Sequence, residues 1–393
     1  MLKNGIWIGV SVVFCFQWIV QRALGIHHSP LMEAVLSGSS IFGAAFLLSW
    51  AAELAQLEIP QSLAIAFLAL VAVLPEYAVS IYFAWMAGKN PSYIAYATAN
   101  MTGANRLLIG LGWPAVLCAY WFVSGKKNIL LDKNNSTELL ILLLASLYAF
   151  VIPIKGTLSV LDSVVFLALF GSYVYFSSKA SVKEPELEGP AEMLARLSVR
   201  PRRFVTVLLF GVAAAAIYLA AEPFSESLLA VGRQFGVEEF ILVQWLAPLA
   251  SEAPEFIVAT IFAVKLLPSV GLQTLVASKV NQWTLLVGML PLAFGISAGQ
   301  MKALPLDPRQ VVEMLLTTAQ SVFALVILMN FDFSILEAGV LAFLFCTQLF
   351  FTQPWVRYLY SVVYVLLALW VLWSQPRYRQ SLWDLLWKSW RRD

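Results

Sequence analysis

Charge is what this sequence has least of. Only 12% of its 393 residues are Asp, Glu, Lys or Arg, about half the roughly 25% usual in soluble domains. Histidine is scarcer still: the two residues, His27 and His28, sit side by side in one short loop. No partner lies near them for a metal site, and no HExxH-type motif occurs anywhere. Three cysteines, Cys15, Cys118 and Cys346, are far apart inside apolar runs. That excludes a disulfide framework or a zinc motif and leaves them as small hydrophobes. A net charge of +2 without a basic stripe excludes nucleic acid as a partner.

What the chain does have is hydrophobic length. Apolar residues make up 60% of it, and the charges fall mostly between the apolar runs. This is the composition of an all-α polytopic membrane protein. Runs long enough to cross about 30 Å of hydrocarbon predict about twelve transmembrane helices. They lie near Asn4–Leu24, Met32–Leu57, Gln61–Gly88, Ser92–Phe122, Glu138–Ile154 and Thr157–Phe176, then near Phe204–Phe235, Glu239–Leu267, Val270–Ile296, Val311–Met329, Ile335–Phe351 and Leu359–Trp373. The first run has no small-x-small cleavage pattern and reads as a retained helix. The last residues, "SLWDLLWKSWRRD", suit an amphipathic helix at the interface.

One charged stretch divides the chain. It mixes "KEPELEGPAE" with "RPRR" and occupies residues 179–203. With both termini on one side, the loops on that side hold sixteen Lys and Arg against seven opposite. The bias predicts an inner or plasma membrane protein with cytoplasmic termini and a cytoplasmic linker.

The two halves repeat one another. "LPEYAVSIYFA" (Leu74–Ala84) aligns without gaps with "APEFIVATIFA" (Ala253–Ala263), and "ANMTGANRLLIG" resembles "LVASKVNQWTLLVG". Asn105 then pairs with Asn281 and Thr102 with Ser278. Five spans separate the corresponding points, and an odd number inverts the second copy, as expected of an alternating-access transporter. The expected organisation is an extra helix in 1–30, a five-helix repeat in 31–178, the linker 179–203, a second five-helix repeat in 204–353, and an extra helix with the tail in 354–393.

A carboxylate at mid-bilayer costs roughly 2.5–3.5 kcal/mol on insertion scales and is seldom idle. Glu76 and Glu255 occupy matching positions, each just after a proline. Pro75 and Pro254 remove an N–H and crowd the carbonyls of Val71 and Ala250, which predicts an unwound helix beside each glutamate. Carboxylates with loose carbonyls are what hard cations such as sodium and calcium take as ligands. Asn105, Asn281, Ser251, Thr102 and Ser278 add amide and hydroxyl oxygens, with Ser80 a further candidate, and Glu252 adds a third acid. Glu53, Asp162 and Glu226 read as structural residues near helix ends.

At these residues the chain resembles the calcium/cation antiporter superfamily, specifically the sodium/calcium exchanger membrane domain. That family carries Gly-Thr-Ser-Leu-Pro-Glu in one helix of each repeat and Gly-Ser-Asn in the next. Here "VAVLPE" and "ASEAPE" fill the first position, "GAN" and "KVN" the second. The resemblance implies Glu76 and Glu255 as central cation carboxylates, with Asn105 and Asn281 as further ligands. Departures carry information too. The Thr-Ser pair becomes Ala72 and Val73 in one repeat, Ser251 and Glu252 in the other, while Lys279 and Arg106 bring positive charge. Three acids (Glu76, Glu252, Glu255) against those two bases leave a pocket of −1, lean for a divalent ion plus several sodium ions. Lys279 is expected near Glu252 or Glu255, either as a tethered cation in place of one bound ion or as a fixed salt bridge.

The resulting expectation is a secondary active cation antiporter exchanging calcium or sodium for protons or sodium, in which the first helix of each repeat slides across the other four. Its partners are inorganic cations and the lipid bilayer, and its state is a monomer or homodimer. No cofactor and no catalytic residue is expected. A transport-dead structural or regulatory homologue and a membrane-embedded enzyme remain the alternatives.

Overall fold

A computed structural model describes residues 2–58, 74–132, 136–179, 187 and 189–388. They are almost entirely helical, in the order α1 (Leu2–Ala23), α2 (Pro30–Ala55), α3 (Leu74–Lys89), α4 (Ile94–Leu107), α5 (Trp113–Ser124), α6 (Ser136–Ala149), α7 (Val151–Lys155), α8 (Val160–Ser178) and α9 (Pro190–Ala195). There follow α10 (Val199–Phe235), α11 (Glu239–Val264), α12 (Pro268–Asn281), α13 (Val287–Ser297), α14 (Pro308–Leu328), α15 (Ile335–Gln348), α16 (Pro354–Ser374) and α17 (Pro376–Lys388). Ten stretches among the described residues are long and apolar enough to cross a membrane. Of the other two expected spans, Ile335–Gln348 is a shorter apolar helix of 14 residues. The first part of Gln61–Gly88, Val71 included, lies outside the described residues. The chain is an all-α polytopic membrane protein.

The chain splits into two compact units, Met1–Phe83 with Val174–Pro254, and Ala84–Tyr173 with Glu255–Asp393. In the first unit α2 packs along α10 and α1 packs on both. Small residues permit the close approach, as they do between membrane helices generally. A Cβ on Gly38 would sit 2.9 Å from the Phe224 ring, and one on Gly43 2.8 Å from Phe14 Cβ and the Ser11 carbonyl. Polar side chains then tie α1 down: Trp18 Nε1 donates to the Leu219 carbonyl (3.0 Å) and Gln17 Nε2 to that of Leu36 (2.9 Å). At 37 residues, α10 is about 55 Å long and outruns the hydrocarbon layer. Its first turns carry Arg202 and Arg203, which both pair with Glu58 just past α2.

In the second unit, α4 runs into α5 through a π-helical segment, Leu108–Gly112, and α12 into α13 through another, Gln282–Leu286. Two small antiparallel pairings lace the loops. β1 (Asn128–Leu130) pairs with β4 (Asp332–Ser334), setting Ile129 opposite Phe333, and β2 (Thr157–Leu158) pairs with β3 (Leu304–Pro305). Because β1 and β2 flank α6–α7 while β3 and β4 flank α14, those helices are tied together at both ends. Large aromatic side chains of this unit, Trp113, Trp283, Phe166 and Phe333, are fully buried.

Two expectations change here. The helix around Pro254 is not unwound: α11 is continuous from Glu239 to Val264 through both Pro248 and Pro254. One proline removes one hydrogen bond, and the remaining ladder carries the helix past it. Ser251 Oγ reinforces this turn by donating to the carbonyls of Ala247 and Pro248, each at 3.3 Å. The last span also begins earlier than Leu359. Pro354 starts α16, so Arg357 is a buried helical residue and not a loop cation.

Candidate functional site

The candidate residues fall in both units and are described in each by itself. In the first, Glu76 (2% exposed) stands in the first turn of α3, and Glu252 (1%) and Ser251 (5%) lie midway along α11. Ser80, one turn beyond Glu76, is fully buried as well. These are deep positions for carboxylates, and their burial is the costly feature that the flanking apolar sequence makes unavoidable. Also in this unit, Tyr82 donates to Glu226 at 2.7 Å, a structural tie between α3 and α10.

In the second unit, Glu255 is half-buried on α11, and Ser278 is a buried residue of α12. Asn281 ends α12 with its side chain 3% exposed. Thr102 is buried on α4, where its hydroxyl donates to the carbonyls of Thr98 (2.8 Å) and Ala99 (3.2 Å). Asn105, three residues on, is fully buried. Its amide nitrogen donates to the Met101 carbonyl at 2.8 Å, which aims the amide oxygen away from its own helix.

That oxygen receives Lys279. Nζ lies 2.7 Å from Asn105 Oδ1 and 3.4 Å from the Asn105 carbonyl oxygen, and 4.2 Å from the centre of the Trp283 ring. Within the second unit its neighbours thus include an amide oxygen, a backbone carbonyl and an indole face. Trp283 is held in turn by its N–H, which donates to Ser146 Oγ on α6 at 3.1 Å.

Arg106 has a different fate from the one its position suggested. Its guanidinium pairs with Glu313 on α14, and Arg357 of α16 pairs with the second oxygen of the same carboxylate. All three side chains are at most 5% exposed. Arg106 Nε reaches back to the Thr102 carbonyl at 3.4 Å, and Gln320 of α14 donates to the Arg106 carbonyl at 3.2 Å. Glu313 and Arg357 thus add one acid and one base around Arg106, which leaves the expected net count of −1 unchanged. The reading of the sequence did not single out Glu313, Arg357 or Gln320. An acid inside the apolar run Val311–Met329 was the available signal for the first. For the second the signal was obscured by a helix start set five residues too late.

The π segments place these groups. Each begins within three residues of a candidate asparagine, at Leu108 after Asn105 and at Gln282 after Asn281. A π turn shifts the hydrogen-bond ladder by one residue and occurs most often at functional positions. Around the first of them, side chains from outside the helix reach the backbone: Lys279 meets the carbonyl of Asn105 and Gln320 that of Arg106.

The family described as sodium/calcium exchanger protein matches residues 28–179 and 205–353. The chain belongs to that family. A solved H+/Ca2+ exchanger, CAX, is 43% identical over 99% of this exchanger and 98% of its own chain, with a TM-score of 0.95. Two more distant structures share the fold. The sodium-calcium exchanger NCX_Mj is 16% identical over 82% of this chain and 98% of its own (TM-score 0.57). Native YfkE is 14% identical over 92% and 99% (TM-score 0.62). A comparison with curated proteins finds no match. Residues before 28 and after 353, which include α1, α16 and α17, lie outside the family match of this exchanger.

Proposed function

We propose that this exchanger is a secondary active antiporter that moves calcium across a membrane against protons, with Glu76 and Glu255 as the central carboxylates. The observation that carries the proposal is the repeated Pro-Glu step: one acid in an apolar helix of each repeat, 31–178 and 204–353, in inverted orientation. Such a pair is costly to insert and is explained by a cation or proton that it must hold. Asn105, Asn281, Thr102, Ser278, Ser251 and Glu252 supply the oxygen atoms of the surrounding shell, which suits a hard divalent ion. The lost hydroxyls at Ala72 and Val73 and the added base at Lys279 favour protons over sodium as the coupling ion. Near identity in length and fold with a solved H+/Ca2+ exchanger points the same way.

In this reading α2 and α10, the first helices of the two repeats, move as one body with α1, because the three already pack as one bundle. The positively charged linker and both termini face the cytoplasm of an inner or plasma membrane. The transported ions are substrates and no resident cofactor takes part.

Calcium uptake into vesicles containing the purified chain, driven separately by a proton gradient and by a sodium gradient, tests the ion pair. Uptake with the proton gradient and none with the sodium gradient is expected. Uptake driven by sodium alone would overturn the pairing.

A further inference from the structure

We infer that Arg357, in the first turn of α16, is a positioning residue for the cation site: through Glu313 it holds Arg106, and Arg106 sets the direction of Asn105 and Thr102 on α4. Arg357 lies beyond the residues 28–179 and 205–353 that match the exchanger family. The helix after the second repeat then takes part in binding although it offers the ion no ligand. This rests on the proposed function, in which Asn105 and Thr102 belong to the shell around the cation.

The relay is continuous and buried. The Arg357 guanidinium pairs with one oxygen of the Glu313 carboxylate and Arg106 with the other, and none of the three side chains is more than 5% exposed. Arg106 also reaches the Thr102 carbonyl through Nε at 3.4 Å, while its own carbonyl accepts from Gln320 of α14 at 3.2 Å. Arg106 is therefore gripped by side chain and backbone together. With Arg357 on its second oxygen, the carboxylate is held from both sides and cannot swing with Arg106. Two turns after Arg357, the fully buried Tyr364 sets its ring 5.9 Å from that of Phe323 on α14, a contact between the same two helices that uses none of the triad's groups.

Helix geometry turns this grip into a direction. Successive residues of an α-helix are rotated by about 100°. A fixed Arg106 thus fixes the side on which Asn105 stands, and with it Thr102, one turn back. The restraint matters here because the π segment starts at Leu108, two residues on. A ladder that shifts by one residue at that point would, if it shifted one turn earlier, turn Asn105 away from its present direction. An anchored Arg106 keeps the shift beyond the candidate ligands.

The test uses the full chain as wild type, Arg357→Met, Arg357→Lys and Tyr364→Leu. The half-saturating calcium concentration is measured twice, from the rise in unfolding temperature that calcium gives in detergent and from proton-driven calcium uptake into vesicles. Arg357→Met is expected to raise it about tenfold in both, equivalent to about 1.4 kcal/mol, with a maximal uptake rate within about twofold of wild type. Arg357→Lys, which keeps the charge but not the fork, is expected to recover most of the affinity. Tyr364→Leu is expected to lower the unfolding temperature without calcium and to keep the wild-type half-saturating concentration. A less stable Arg357→Met with wild-type half-saturation would overturn the proposal, and so would an equal loss of affinity in Tyr364→Leu. If Arg357→Met does not fold, Arg357→Gln replaces it under the same outcomes. Failure of both to fold would leave Arg357 a tie between helices and sink the proposal. A wild type that binds calcium without transporting it, with binding weakened in Arg357→Met, would remove the transport reading and leave this inference standing.

Discussion

Arg106 and Lys279 are both buried cations of the second unit, one in each repeat and each beside a candidate asparagine, yet the protein treats them differently. Arg106 is matched to a carboxylate, Glu313, which Arg357 shares from α16. Lys279 is seated on an amide oxygen and an indole ring. A guanidinium presents five donors in a rigid fork and suits a shared carboxylate, whereas an ammonium is a compact point charge that neutral oxygens and a ring can surround. The first arrangement binds three helices together. The second links α4 to α12 and to the π segment that follows it. The lesson is that a buried base in a transporter is read from what it touches, since the two look alike in sequence.

The largest expected effect that would break this comparison is on the triad. Glu313→Ala leaves two arginines buried with no shared acid, and breaking a buried pair in this way costs about 3–5 kcal/mol. A large fall in the thermal unfolding midpoint in detergent is expected. A midpoint like that of the wild type would mean that the triad does not bind α4, α14 and α16 together. Arg357→Met should cost less, since Arg106 and Glu313 remain as a matched pair, and it should loosen α16 before the rest. Limited proteolysis between α15 and α16 reads that directly.

The smallest effect belongs to the membrane surface. The hydrogen bond from Arg203, together with Arg202, holds the Glu58 carboxyl below the usual carboxylate range, in spite of partial desolvation. A depressed pKa contributes stability that is complete above the ordinary carboxylate pKa, about 4.3 for Glu, and is lost as pH falls through the lowered value. With Arg203 exposed and Glu58 only partly buried, a surface pair of this kind contributes about 0.2–1 kcal/mol. Glu58→Gln should therefore shift the unfolding midpoint slightly at neutral pH and not at all at strongly acid pH. An equal shift at both would exclude the ion pair as its cause.

Much of this molecule is legible in its sequence because the bilayer imposes one strong rule, that apolar runs of sufficient length become helices. The runs from Asn4 to Trp373, so far as the described residues cover them, fall on helices for that reason, and the Pro-Glu repeat is visible because a buried acid is rare enough to be noticed. Finer features were hidden for physical reasons. The π segments after Asn105 and Asn281 arise from a one-residue shift in bonding that composition does not encode. Proline at 254 suggested a break, but a ladder with one missing rung still holds, and α11 continues. Arg357 read as a loop residue because a charge ahead of Leu359 lowers the local hydropathy, while Glu313 on a neighbouring helix makes its burial tolerable. The amide and ring that touch Lys279 could be identified only once α4 and α12 were seen together.

The account depends most on the two central acids working as one centre. Proton-driven calcium uptake into vesicles, measured for Glu76→Gln and Glu255→Gln in protein that unfolds at the wild-type temperature, tests this most directly. Loss of uptake to the level of empty vesicles in both variants is the expected result, and full uptake in either one would contradict it.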